Sequence, residues 1–160
     1  MIREVNLSDA AAIAAIYNEY VAKTTISFET EPVTVAEMER RIAAISSHHP
    51  YMVWDEGGRV AGYCYAHLWK ERAAYSHTLE TTIYVASNCR GRGIGTRLMR
   101  ALIDECRKAG ARALVACITG GNEASIGLHS RLGFKQVSHF ECVGSKFGKE
   151  LGVVDMELLL

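Results

Sequence analysis

The sequence carries no excess of either charge: its 160 residues hold 18 lysines and arginines against 18 aspartates and glutamates. That balance argues against nucleic acid or an anionic membrane surface as the main partner. There is no run of about 18 apolar residues, so no membrane span is expected. The opening Met1-Ile2-Arg3-Glu4-Val5 lacks the apolar region of a secretory signal. Five cysteines, an odd count, form no C-x-x-C. Most stand in apolar strand or helix patterns, where free buried thiols are expected. A cytoplasmic, reducing compartment is the corresponding expectation. The six histidines form no ligand cluster with the cysteines at zinc spacing, so no metal is expected. Repeats, low-complexity stretches and linkers are missing as well, and residues 1–160 read as a single domain.

What is present follows a mixed α/β order. Ile2–Val5 reads as a short strand. Ser8 or Asp9 can cap a helix with Ile13, Ile16, Tyr17 and Tyr20 on its apolar face, and residues 22–33 read as a loop. Thr34 and Glu37 form a capping box opening a helix through Met38, Ile42 and Ile45. Strands over Tyr51–Trp54 and Val60–Trp69 flank a turn at Glu56-Gly57-Gly58-Arg59. Lys70–His77 reads as a loop and Thr78–Val85 as a third long strand. A helix showing Met99, Leu102, Ile103 and Cys106 on one face ends at Gly110, and Ala113–Thr119 is a buried apolar strand. Asn122 caps a helix that stops at Gly133, and Phe134–Val143 and Val153–Leu160 are the last strands.

Between the Thr78–Val85 strand and the next helix lies Arg90-Gly91-Arg92-Gly93-Ile94-Gly95, three glycines and two arginines in six residues. A strand, a glycine turn and a helix start together make an anion site. The glycines admit a ligand close to the backbone, and the free N–H groups of the first helical turn point at it. Arginines add charge-assisted hydrogen bonds to phosphate oxygens. A P-loop is excluded because no Lys-Ser or Lys-Thr follows; a dinucleotide fingerprint is excluded because the spacing is G-x-G-x-G. What fits is Q/R-x-x-G-x-G/A, and the segment resembles the acyl-CoA pyrophosphate loop of the GNAT N-acetyltransferase superfamily. Asn122-Glu123-Ala124-Ser125-Ile126-Gly127-Leu128-His129-Ser130-Arg131-Leu132-Gly133-Phe134 resembles the N-x-x-A/S-x-x-x-Y/H-x-x-x-G-F element of the same superfamily. By their spacing, Asn122, Ser125 and His129 share one helical face.

The resemblance implies an α/β fold: a central, mostly antiparallel twisted sheet with a parallel splayed strand pair, flanked by helices. It implies acetyl-CoA as co-substrate, its diphosphate cradled by Gly91, Arg92, Gly93, Ile94, Gly95 and Thr96, with Arg90. The backbones of Ile83, Tyr84 and Val85 would pair with the pantetheine amides. Asn122 and Ser125 would hold the pantetheine arm, and His129 would reach the thioester sulfur as general acid. Read from the residue alone, His129 is a half-buried helix histidine; its spacing to Asn122 and to Gly133-Phe134 is what points to a site role. Glu80, Thr82 and Tyr84 share one strand face. A carboxylate there is costly unless it meets a cavity or a partner. Near a cleft its raised pKa suits a general base for an ammonium substrate, direct or through a water; otherwise Glu80 pairs with Arg72 or Lys70.

Trp69-Lys70-Glu71-Arg72-Ala73-Ala74-Tyr75, Ser27-Phe28-Glu29, Tyr17-Asn18-Glu19-Tyr20-Val21 and Val143-Gly144-Ser145-Lys146-Phe147-Gly148 are similar to the phosphinothricin acetyltransferase branch. That branch includes methionine sulfoximine and methionine sulfone acetyltransferases. The resemblance implies an enzyme that acetylates the α-amine of a small amino acid analogue by direct transfer, as a homodimer. Arg72 would pair a substrate carboxylate or phosphinate, or is a solvated surface charge. Phe28 and Tyr75 would wall the pocket, or Phe28 packs in the core; Lys146 is a pocket cation or a strand-edge charge. One departure stands out: after Lys146-Phe147-Gly148 the branch continues with a basic residue, Trp, Leu and Asp, whereas here Lys149-Glu150-Leu151-Gly152 follows. A covalent route would need Cys89, which reads as a loop cysteine. Two other classes stay open, a protein or peptide N-acetyltransferase and a non-catalytic acyl-CoA-binding regulatory domain.

Overall fold

The computed structural model describes residues 1–160. Its strands are β1 (Ile2–Glu4), β2 (Tyr51–Asp55), β3 (Val60–Leu68), β4 (Thr78–Val85), β5 (Ala113–Thr119), β6 (Lys135–Lys146) and β7 (Lys149–Leu159). They form one sheet in the order β1-β2-β3-β4-β5-β7-β6. Every neighbouring pair is antiparallel except β4 and β5, which run parallel. The helices are α1 (Ala10–Lys23), α2 (Val35–Ser46), α3 (Ile94–Lys108) and α4 (Glu123–Arg131).

Two apolar clusters form on the sheet. One gathers α3 residues Leu98, Met99, Leu102 and Cys106 with Cys64, Leu79, Leu114 and Met156. The other gathers Ile13 and Ile16 of α1 and Ile42 of α2 with Tyr51, Val53 and Tyr63. The i, i+3, i+4 spacing of the buried α3 residues is the reason the helix forms here, since its apolar stripe must be covered. Thr34 caps α2 by accepting a hydrogen bond from the Glu37 N–H at 3.1 Å. The Glu37 carboxylate does not return the bond; it accepts from Arg40 and Arg41 instead. Asp9 lies in a short 3-10 turn before α1, where it accepts both from Arg3 and from the Asn6 N–H.

The last two strands run longer than the sequence pattern suggests. Residues 144–152, outside both expected strands, form the near end of a β6–β7 hairpin in which Lys146 pairs with Lys149. Its two-residue turn is Phe147 (φ 53°) and Gly148 (φ 71°). Positive φ at both positions matches the strand twist, but a phenylalanine in the first is not the usual Asn or Asp signal. A 3-10 turn at Ala73–Tyr75 lies within the expected 70–77 loop.

Candidate active site

The parallel pair is short. β4 and β5 are in register only from Thr78 to Glu80, opposite Ala113 to Val115, although β4 continues to Val85 and β5 to Thr119. Beyond Glu80 the strands part. The antiparallel ladder with β3 determines which backbone groups are left over. Ala86 N–H donates to the Ala61 carbonyl, and Trp69 N–H to the Thr78 carbonyl. Even-numbered residues of β4 therefore bond to β3, and the odd-numbered ones turn their N–H and C=O groups toward the gap. The Tyr20 hydroxyl, on α1, donates to the Val85 carbonyl at 2.6 Å. The N–H groups of Ile83 and Val85 are thus presented to an extended ligand bearing amides.

A cleft of about 440 Å³ opens at this gap, between the start of α3 and α4, with Ile83, Tyr84 and Val85 as its floor. Its α3 wall comprises Arg90, Gly91, Gly93, Ile94, Gly95 and Thr96. Gly91 and Gly93 both sit at φ 75°, a left-handed conformation that lets the chain turn sharply into the helix. The first turn of α3 holds no acidic residue, so its free amides and positive dipole end face the cleft unopposed. The α4 wall comprises Asn122, Ala124, Ser125, Leu128 and Arg131. Asn122 accepts from the Ser125 N–H at 3.3 Å, which caps α4. The arrangement suits a long ligand with an anionic end at α3 and an amide-bearing arm along β4.

A second cavity, also about 440 Å³, adjoins the first at Ile26 and Tyr84. Tyr17, Ser27, Phe28, Glu29, Cys117 and Thr119 line it. The Glu29 carboxylate accepts two bonds from Arg41, at 2.7 and 2.9 Å, and a further one from the Tyr17 hydroxyl. Arg41 holds the Glu29 carboxyl below its ordinary range. Between the two cavities, in the gap itself, a space of about 170 Å³ is lined by Glu80, Thr82 and Cys117. Burial pushes the Glu80 carboxyl above its ordinary value of 4.5. His67, its cross-strand partner on β3, and the Cys117 thiol pull it back, and Asp155 pushes it further up. A partly desolvated carboxylate at the junction of two cavities can take a proton from a cationic group seated in the second.

Several expected site residues stand elsewhere. Arg92 does not line the cleft; its guanidinium is bonded to Glu56 at 2.6 and 3.3 Å. Arg72 and Tyr75 line a separate surface hollow with Lys70 and Glu71, so neither bounds the acceptor-side cavity of its own chain. Lys146 is 3% exposed and donates to the Ser27 carbonyl at 2.7 Å, bracing the loop under Phe28 rather than facing a ligand. His129 shares a helical face with Ser125 but does not line the cleft. It is 3% exposed, packed edge-on to Phe134, and its Nδ1 lies 2.8 Å from the Ser125 carbonyl. A carbonyl can only accept, so Nδ1 carries the proton. Burial lowers the pKa of the ring, which favours the neutral form with a bare Nε2, a poor proton donor. Cys89 is buried, within reach of Arg59 and Asn88, and presents no exposed thiol. Tyr20, Glu29 and Arg131 lie within segments quoted for the resemblance, but neither they nor Cys117 carry an expected role there; packing between elements brings them to the two cavities.

The chain matches the family described as "Acetyltransferase (GNAT) domain" over residues 2–154. It is 39% identical over 158 residues to the phosphinothricin N-acetyltransferase of Alcaligenes faecalis, covering 98% of this chain and 80% of that protein. It is 38% identical over 161 residues to the L-methionine sulfoximine/L-methionine sulfone acetyltransferase of Pseudomonas paraeruginosa, covering 99% and 94%. The crystal structure of a GNAT superfamily phosphinothricin acetyltransferase from Sinorhizobium meliloti in complex with AcCoA matches with a TM-score of 0.96 at 35% identity, over 100% of this chain and 88% of that one.

Proposed function

Because this chain belongs to the GNAT acetyltransferase family, we propose that it transfers the acetyl group of acetyl-CoA to the α-amine of a small amino acid or analogue, of the phosphinothricin, methionine sulfoximine or methionine sulfone type. The observation that carries this reading is the parting of β4 from β5 above Glu80, beside a helix that opens on glycines. Acetyl-CoA supplies the acetyl group as a thioester. The amides opening α3 and Arg90 hold its diphosphate, the N–H groups of Ile83 and Val85 meet the pantetheine arm, and Asn122 and Ser125 border it. The acceptor sits on the Phe28, Thr82 and Tyr84 side. Glu80 takes the ammonium proton, directly or through a water. The freed nitrogen attacks the carbonyl carbon while a free backbone N–H that β4 turns toward the gap polarises the carbonyl oxygen. The adduct collapses with cleavage of the C–S bond, its nitrogen sheds its second proton to solvent, and the thiolate takes one from solvent, since His129 is buried and its neutral form favoured.

Residues 1–160 act as one catalytic domain in this reading, and the protein is a homodimer. Arg72 does not border the acceptor cavity of its own chain, so a grip on a substrate carboxylate calls for a second copy or a closing of the 70–77 loop. Thiol release from acetyl-CoA, measured with methionine sulfone, phosphinothricin, free amino acids and a peptide panel, tests the reading. Release with the small analogues is expected, from a species with twice the chain mass by light scattering. Release with peptides alone would favour protein acetylation, and CoA binding without release for any amine would favour a regulatory domain.

A further inference from the structure

One face of the sheet carries a diagonal row of polar side chains across the neighbouring strands β3-β4-β5-β7-β6. His67 pairs with Glu80, Glu80 with Val115, Cys117 with Asp155 and Asp155 with Ser138. Cys117 stands two residues beyond Val115 and so shares the face of Glu80. It is open to the gap and lines the same space as Glu80. Its thiol lies between two carboxylates, Glu80 on one side and Asp155 on the other, and interacts with both. The strands around the sulfur, and then those two charges, hold the thiol well above its ordinary value of 9. It stays protonated at neutral pH, with one S–H for two carboxylates. The Ser138 hydroxyl decides that competition, because it donates to Asp155 at 2.8 Å.

The other groups around Glu80 do not serve as donors to it. No lysine or arginine faces it. The His67 Nδ1 lies 2.8 Å from the Leu68 carbonyl, so it carries the proton, and the neutral ring is left with a bare Nε2 that cannot donate. Tyr65, on the same face of β3, is engaged with Thr82. Resting on the reading of Glu80 as the base, we propose that Cys117 is a positioning residue for the transfer: its S–H donates to the Glu80 carboxylate and holds it toward the gap, while Ser138, by supplying Asp155 with a donor, leaves that proton to Glu80. The thiol is neither acylated nor oxidised in this role. When Glu80 takes the ammonium proton, Cys117 keeps its own, and Asp155 remains as the nearby negative charge that makes Glu80 a stronger base.

Profiles of kcat/KM against pH for the wild type, C117A, C117S, S138A, D155N and E80Q test the proposal. The readout is the rise toward neutral pH that reports Glu80. C117A is expected to move that rise up by about half a pH unit and to lower the plateau about fivefold. C117S, which keeps a donor, should recover most of both losses. S138A should move the rise up by a smaller step, since Asp155 then draws the thiol proton. D155N should move it down by about half a unit, since a like charge and a competitor are removed together. Rises that stay in place in C117A and D155N, or that shift the same way in both, overturn the proposal, as does a C117S profile identical to that of C117A. A rise that survives in E80Q overturns the reading of Glu80 as the base instead. Cys117 is exposed and Ser138 and Asp155 are half-buried, so these variants are expected to melt close to the wild type.

Discussion

Glu80 occupies a position that is unfavourable for folding and useful for proton transfer. Its folded pKa lies above the ordinary 4.5, and burial is the largest cause. The folded state thus binds the proton more tightly than the unfolded one, so stability falls as pH rises from 4.5 through the raised value. At pH 7 the ionised side chain is a net cost, which glutamine at this position removes. E80Q is therefore expected to melt at a higher temperature than the wild type while losing about a hundredfold in kcat/KM. The wild-type pH–rate profile should rise through the raised Glu80 pKa and then level, and E80Q should lack that limb. A variant that loses activity but keeps the limb would assign the base elsewhere. Strand alternation placed Glu80, Thr82 and Tyr84 on one face, and the structure agrees because period two is a local property. Spacing alone also put His129 with Ser125, but it could not show which side of α4 is packed inward. That is decided by Phe134, a contact between elements.

At the scale of the elements, the loop between α1 and α2 is held against the β6–β7 hairpin. Gly144 lies under the Phe28 ring: a Cβ built there would come within 2.5 Å of the Phe28 Cε2. Phe28 is 40% exposed and lines the acceptor-side cavity, so a ring displaced from Gly144 reshapes the space the acceptor occupies. G144A is expected to raise the KM of the acceptor amine about tenfold and to leave the KM of acetyl-CoA within about twofold. Varying each substrate in turn at saturation with the other checks the split; equal rises in both constants would mean a general distortion. The helices were legible because their buried stripes repeat at three and four residues. The near end of this hairpin was not, because its turn uses Phe147-Gly148 and β6 carries register shifts after Gln136 and Phe140 that blur the alternation. The segment departing from the family pattern, Lys149 to Gly152, lies in β7 directly after this turn. Its effect on the acceptor is expected to act through the same hairpin.

Across the whole molecule, one sheet is joined at its middle by a parallel register of three residue pairs, and above it the two halves are separated by the gap. The strand order on either side is complete, β1 to β4 and β5 to β6, so the opening is a property of the fold rather than of a missing strand. A ligand whose amides meet the odd-numbered residues of β4 would act as a further strand in that gap. Backbone amide exchange reads this directly. In the free protein the N–H groups of Thr82 and Tyr84, bonded to β3, should exchange slowly, and those of Ile83 and Val85 quickly. With acetyl-CoA at a hundredfold excess over its Kd, Ile83 and Val85 should slow by about a hundredfold, and the alternation along β4 should fade. Equal protection of all four in the free protein would mean that the gap is closed in solution. Fast exchange of Ile83 and Val85 at saturation would mean that the arm lies elsewhere, with the helix start alone holding the nucleotide.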